Sequence, residues 1–162
     1  MLDDLKLLND PCQRGLGGVV MMQFLPRVAV ASMAIPSGLT FTGPLTLKPG
    51  WRWFELQMQA NTNFYNEEFR KTPNGGVYDI TIGGFFPRDD VATLELLERM
   101  SSYYFLVRAL DYNGRWRLVG NRYETLKFTK RAYSSTTPDT RVGFTVEFSG
   151  SFLRPGLVDA RE

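Results

Sequence analysis

The residues of this chain that could do chemistry are few and scattered. Adjacent carboxylates stand at Glu67–Glu68 and at Asp89–Asp90, and a pair of carboxylates is what glycoside hydrolysis requires. Neighbours on a strand point to opposite faces, however, and acids at a helix start serve as caps. "GLGG" at 15–18 is a fragment of a phosphate-cradling loop. That loop needs a strand before it and a helix after it, whereas "VVMMQF" follows here and reads as a strand. "RWR" at 115–117, with Lys127, Lys130 and Arg131 beyond it, mixes cations and aromatic rings as single-strand nucleic-acid grooves do. The same residues make an ordinary cross-strand contact with charges guarding a sheet edge. Histidine is absent, removing the commonest general base and metal ligand, and Cys12 stands alone. No catalytic, cofactor-binding or metal-ligating residues are expected, and Cys12 reads as a small core or interface residue.

The elements that would position such groups are mostly strands. The chain has 162 residues, enough to close a core as one domain over residues 1–162, and 14 % aromatic side chains, which favour a half-buried pleated surface. The net charge of +2 is too small to argue for nucleic acid or an anionic membrane. A single cysteine fits a reducing cytoplasm, and "MLDDLKLLND", acidic and stopped by Pro11, reads as a short amphipathic helix rather than a signal peptide. The apolar stretch 17–34 is broken by Gln23, Pro26 and Arg27, so two buried strands are expected there and not a membrane span.

"YYFLVRALDYNGRWRLVGN", residues 103–121, predicts a hairpin closed by Asn113–Gly114 in a type I′ turn. Residues 63–86 predict a second hairpin around "TPNGG" at 72–76, and 51–60 reads as a strand. In "DDVATLELLERMSS", Val91, Leu94, Leu97 and Met100 recur every three residues and Leu96 widens the stripe. This predicts one helix over 89–101, capped by Asp89 or Asp90, with Glu95 and Arg99 paired and those four apolar side chains buried. "YETLKFTKRAY" and then residues 141–152, with Val142, Phe144, Val146 and Phe148 alternating, complete the strands. The fold class is therefore mainly β, a β-sandwich or open barrel with one packed α-helix.

The run from "NGGVYDITIGGFFPRDD" through "LELLERM" and "YYFLVRALDYNGRWRLVG" to "RVGFTVEFSGSF" resembles the tail-tube and tail-ring structural proteins of tailed bacteriophages. Gly75, Gly76, Tyr78, Asp111, Asn113, Gly114, Gly120, Phe148, Ser149 and Gly150 sit on the shared pattern, as does the early "CQRGLGGVV". The resemblance covers roughly residues 12–152. It implies a tail-tube-like fold and a virion subunit without enzymatic activity or cofactor, assembled in the host bacterial cytoplasm. It further implies a homo-oligomeric ring, six-fold or a multiple of six, that meets neighbouring tail or connector proteins, with DNA only as cargo in a lumen and no membrane contact. Residues 36–50 are longer and richer in proline than that pattern, which leaves tube, ring and terminator roles open.

Residues 36–50 read as an assembly arm, because Leu39, Phe41, Leu45 and Leu47 exceed what the other strands need for a core. Together with Phe64 and Phe69 they are the candidate assembly contacts. The alternative is a monomeric β-sandwich that binds carbohydrate or peptide through exposed Trp and Tyr side chains.

Overall fold

The computed structural model describes residues 17–137 and 141–161. The helix expected within the first ten residues and Cys12 lie outside them. Among the described residues twelve strands follow in order: β1 Val19–Pro26, β2 Val30–Met33, β3 Thr40–Phe41, β4 Leu45–Leu47, β5 Phe54–Glu55, β6 Phe64–Thr72, β7 Gly75–Phe86, then, after helix α1 Val91–Met100, β8 Tyr104–Asp111, β9 Trp116–Val119, β10 Leu126–Ser134, β11 Gly143–Phe152 and β12 Leu157–Asp159. The described residues are mainly β, with one α-helix packed on the sheet.

Ten strands form one sheet in the order β3-β12-β9-β8-β10-β11-β7-β6, with β1 on the other side of β8 and β5 beyond β1. Strand β8 meets β10 only at Phe105↔Leu126 and Tyr104↔Lys127, while β9 takes the rest of that edge through Val107↔Val119 to Leu110↔Trp116. At this narrow junction the sheet turns over, and the main core fills the space between its halves. Met22, Phe24, Phe105, Val107 and Val119 meet Ile80, Ile82, Phe144, Val146 and Phe148 there. Edge-to-face ring pairs such as Phe105–Phe148, 5.2 Å between centroids, lock the middle.

Strand β8 is apolar on both faces because it is covered on both. Phe105 and Val107 enter the main core, and Leu106 points the other way against Leu25, Ala29 and Val30. The cover on that outer face is the segment expected to be an arm. Strand β4 pairs with β2, β3 pairs in parallel with β12, and Phe41 is buried with Leu118 and Leu157. Phe41 is 1 % exposed, Leu45 and Leu47 are half-buried, and only Leu39, at 64 %, faces solvent. The expected surplus of apolar side chains is thus a second, smaller core of the same chain. An outer sheet face this apolar requires a lid, and residues 36–50 supply it.

Four other local expectations change. Within 51–60 only Phe54–Glu55 is strand; Trp53 instead packs into the outer cores. Helix α1 buries Thr93, Leu97 and Met100, while Val91 is 71 % exposed and Leu94 and Leu96 also face solvent. A three-residue step falls about 60° short of a full turn, so four such positions fan over about 180° and cannot all face one sheet. The Asp90 side chain caps α1 by accepting from the Thr93 N–H at 2.7 Å, and Glu95–Arg99 pair at 3.8 Å as expected.

The β8–β9 hairpin is present, but its turn is not type I′. Gly114 has φ +76°, whereas Asn61 is the one non-glycine residue with positive φ among the described residues. The Gly114 N–H donates to the Asp111 carbonyl, and the Asp111 N–H donates to the Arg115 carbonyl. This is the longer loop in which a left-handed glycine follows the turn. Asp111 Oδ1 decides the geometry, accepting from the Asn113 and Arg115 N–H groups at 2.8 and 2.9 Å. Val142, placed in the last strand by its alternation, lies before β11 and is exposed.

Candidate functional site

Ile35, Tyr123 and Leu153 are the most exposed large apolar side chains described, at 82 %, 77 % and 72 %, and they lie together. One hollow is lined by Met33, Ile35, Asn121, Arg122 and Tyr123. It adjoins a second that shares Ile35, Pro36 and Asn121 and adds Leu118, Leu153 and Arg154. A third shares Arg122 and adds Arg27, Val28, Ser102, Tyr103 and Tyr104, enclosing about 410 Å³. The result is a continuous apolar and aromatic strip with arginines on its rim, the composition of a protein–protein contact.

Five separated segments build the strip, one of them residues 102–104 between α1 and β8. The 3-10 turn Arg27–Ala29 after Pro26 buries Ala29 and leaves Arg27 and Val28 outside. The loop after β2 carries Ile35. The loop between β9 and β10 is held by Asn121 Oδ1, which accepts from the Tyr123 and Glu124 N–H groups at 2.7 and 2.9 Å. Glu124 in turn accepts from the Leu153 N–H at 3.2 Å. These polar tethers leave Tyr123 and Leu153 turned to solvent. No periodicity in the sequence announces the strip, because its members come together only when the sheet folds over.

The residues singled out by sequence are dispersed. Glu67 and Glu68 lie on β6, and Glu67 Oε2 takes the Tyr65 hydroxyl at 2.5 Å and the Gly156 N–H at 2.8 Å. Asp89 accepts from the Tyr133 hydroxyl and Asp90 caps α1. The hydrogen bond from the Thr93 N–H holds the Asp90 carboxyl below its ordinary pKa. The "RWR" segment does not join the later cations. Trp116 pairs with Leu110 near the end of β8, whereas Lys127 pairs with Tyr104 at its start, roughly 20 Å away along the strand. Arg131 is engaged by Glu98 at 2.8 Å.

Trp116 and Trp53 hold the Arg108 guanidinium, 4.5 and 4.9 Å from their ring centroids, and Arg108 Nε donates to Gln23 Oε1 at 2.7 Å. Both rings are thereby committed inside the chain. Phe41 is covered by Arg161, 4.7 Å from its centroid, and is not available as a contact. Phe64 is half-buried over its register partner Gly83. Phe69 is 58 % exposed, resting on Gly76 and beside Tyr78. Among the described residues no three His, Cys, Asp or Glu side chains converge to hold a metal ion.

Comparison with protein-family models, with curated proteins and with solved structures finds no match to this chain.

Proposed function

We propose that this protein is a virion structural subunit that self-assembles into a ring or tube in a phage tail or head–tail connector. The observation that supports this reading is the strip around Ile35, Tyr123 and Leu153, the most exposed large apolar side chains described. A closed ring needs two different patches on each subunit, since heterologous contacts must join unlike surfaces. The outward side of α1, with Val91, Leu94 and Leu96 exposed, offers a second apolar group on a different element. In this reading the subunit works by geometry, its partners are its own copies and neighbouring tail or connector proteins, and DNA passes through as cargo.

Negative-stain electron microscopy and sedimentation velocity of the purified full chain test it. Rings or short tubes are expected, and the double variant Ile35→Asp, Leu153→Asp should lose them while keeping its unfolding midpoint. A chain that remains monomeric at every concentration and salt tested sinks the reading. The hollow formed by Arg27, Arg122, Tyr103 and Tyr104 favours a second reading, a monomeric β-sandwich that binds a carbohydrate or peptide bearing a carboxylate. Saturable binding of such a ligand by a monomer would select it.

A further inference from the structure

The main sheet ends on β6, nine residues paired with β7 on one side and with no strand on the other among the described residues. Its register with β7 runs unbroken from Phe64↔Gly83 to Thr72↔Gly75, so it is a regular edge without a bulge. Residues 66–71 are exposed along it. An open edge of this length is a template for another strand, and charges on it ordinarily discourage pairing.

The order of the charges here favours one arrangement over its neighbours in register. Residues 67–71 read Glu-Glu-Phe-Arg-Lys, acids and bases mirrored about Phe69. We infer that β6 is a self-pairing edge that takes the β6 of a second copy in antiparallel register centred on Phe69. Glu67 then faces Lys71 of the second copy, Glu68 faces Arg70, and Phe69 faces Phe69. The two members of each pair share a face, since opposite residues of an antiparallel pair lie on the same side of the sheet with Cβ atoms about 5 Å apart. A parallel in-register pairing sets Glu on Glu and Arg on Arg. A one-residue shift keeps half of the ion pairs and sets Phe69 opposite a charge.

The edge is prepared for this contact. Phe69 is 58 % exposed and braced from beneath, with the site of a Gly76 Cβ only 2.3 Å from its ring and Tyr78 at 5.1 Å between centroids. Arg70 pairs with Asp79 of β7 at 3.0 Å, both groups being exposed, and Glu67 is anchored through Oε2, leaving Oε1 for a lysine. The contact is two-fold, so it closes at a dimer and makes no ring by itself. It stands independently of the ring reading.

Cross-linking reads the register directly. In the full chain with Cys12→Ser, the Phe69→Cys variant should oxidise rapidly to a disulfide dimer, because opposed residues lie within bridging range. Asn66→Cys, roughly 20 Å from its own copy in this register, should not. Sedimentation equilibrium should show a monomer–dimer equilibrium that weakens with added salt. Glu68→Lys alone and Arg70→Glu alone should each lose the dimer, and an equimolar mixture of the two should regain it as a heterodimer. Equal cross-linking at 66 and 69, or no recovery in the mixture of variants with unchanged unfolding midpoints, overturns the pairing. Rings without Phe69→Cys cross-links would remove this proposal and leave the ring reading standing; cross-linked dimers without rings would do the reverse.

Discussion

Glu67 accepts a hydrogen bond from the Gly156 N–H at 2.8 Å, joining strands that lie far apart in the sheet order. Strand β6 is the last of the ten-stranded sheet, and Gly156 sits just before β12, near the opposite end. Tyr65 adds its hydroxyl to the same carboxylate, and Arg117 of β9 lies 5.9 Å from the Tyr65 ring. Side chains rather than a backbone ladder therefore tether the two halves of the folded sheet along this side. Glu67→Ala should lower stability by about 1 kcal/mol, a modest figure because the carboxylate is exposed. Urea unfolding of the variant beside the parent checks it, and an unchanged midpoint would mean that the tether contributes nothing.

The same cluster predicts a response to alkali. Burial first, and the Glu67 hydrogen bond second, push the Tyr65 hydroxyl well above its ordinary pKa of 10.0. Above about pH 10 an unfolded chain releases this proton while the folded chain keeps it. The unfolded state then binds fewer protons, and stability falls as pH rises. Below that pH the contribution is complete. Unfolding midpoints measured from pH 8 to about pH 11 should fall more steeply in the parent than in Tyr65→Phe; parallel curves would contradict the assignment.

Helix α1 should show a sharp contrast between neighbouring turns. Leu97 is fully buried in the main core, so Leu97→Ala should cost roughly 2–5 kcal/mol. Val91 is 71 % exposed, and Val91→Ala should stay within about 0.5 kcal/mol. Chemical denaturation of both variants distinguishes this packing from one in which the three-residue stripe faces the sheet.

Residues 36–50 should prove necessary to the fold. Phe41→Ala should cost roughly 3–5 kcal/mol, and Leu39→Ala should be close to neutral. Removing 38–47 would uncover Leu118 and Leu157, which Phe41 buries, and should abolish cooperative unfolding. A deletion variant with the parent's thermal midpoint would restore the arm hypothesis.

At Gly83, β11 leaves no room for a side chain on β7. A Cβ there would stand 2.2 Å from the Val146 carbonyl oxygen of the neighbouring strand, and a backbone atom inside a ladder cannot move aside without opening it. Gly83→Ala should therefore destabilise by roughly 1–3 kcal/mol or more, measured by thermal unfolding. A neutral result would place β11 farther from β7 than the structure has it.

The sequence by itself determined the β class, the existence of α1 and a cap at Asp89 or Asp90, both hairpins and the burial of Phe144, Val146 and Phe148. These rest on near neighbours: a change of period from two to about three and a half, a capping acid, a glycine after a turn. Tertiary structure alone decided which side of α1 is wet and what covers the outer face of the sheet. A three-residue stripe does not say that the sheet will meet Leu97 rather than Val91, and Phe41 reads as surplus until the outer face of β8, β9 and β12 needs cover. Asn113–Gly114 announced a tight turn, but the Asp111 carboxylate, two residues before Asn113, settled on the longer loop. The strip through Ile35, Tyr123 and Leu153 was not legible at all. Its residues lie far apart in the chain, on loops that only the long-range pairing of the strands brings together, and no local pattern encodes that pairing.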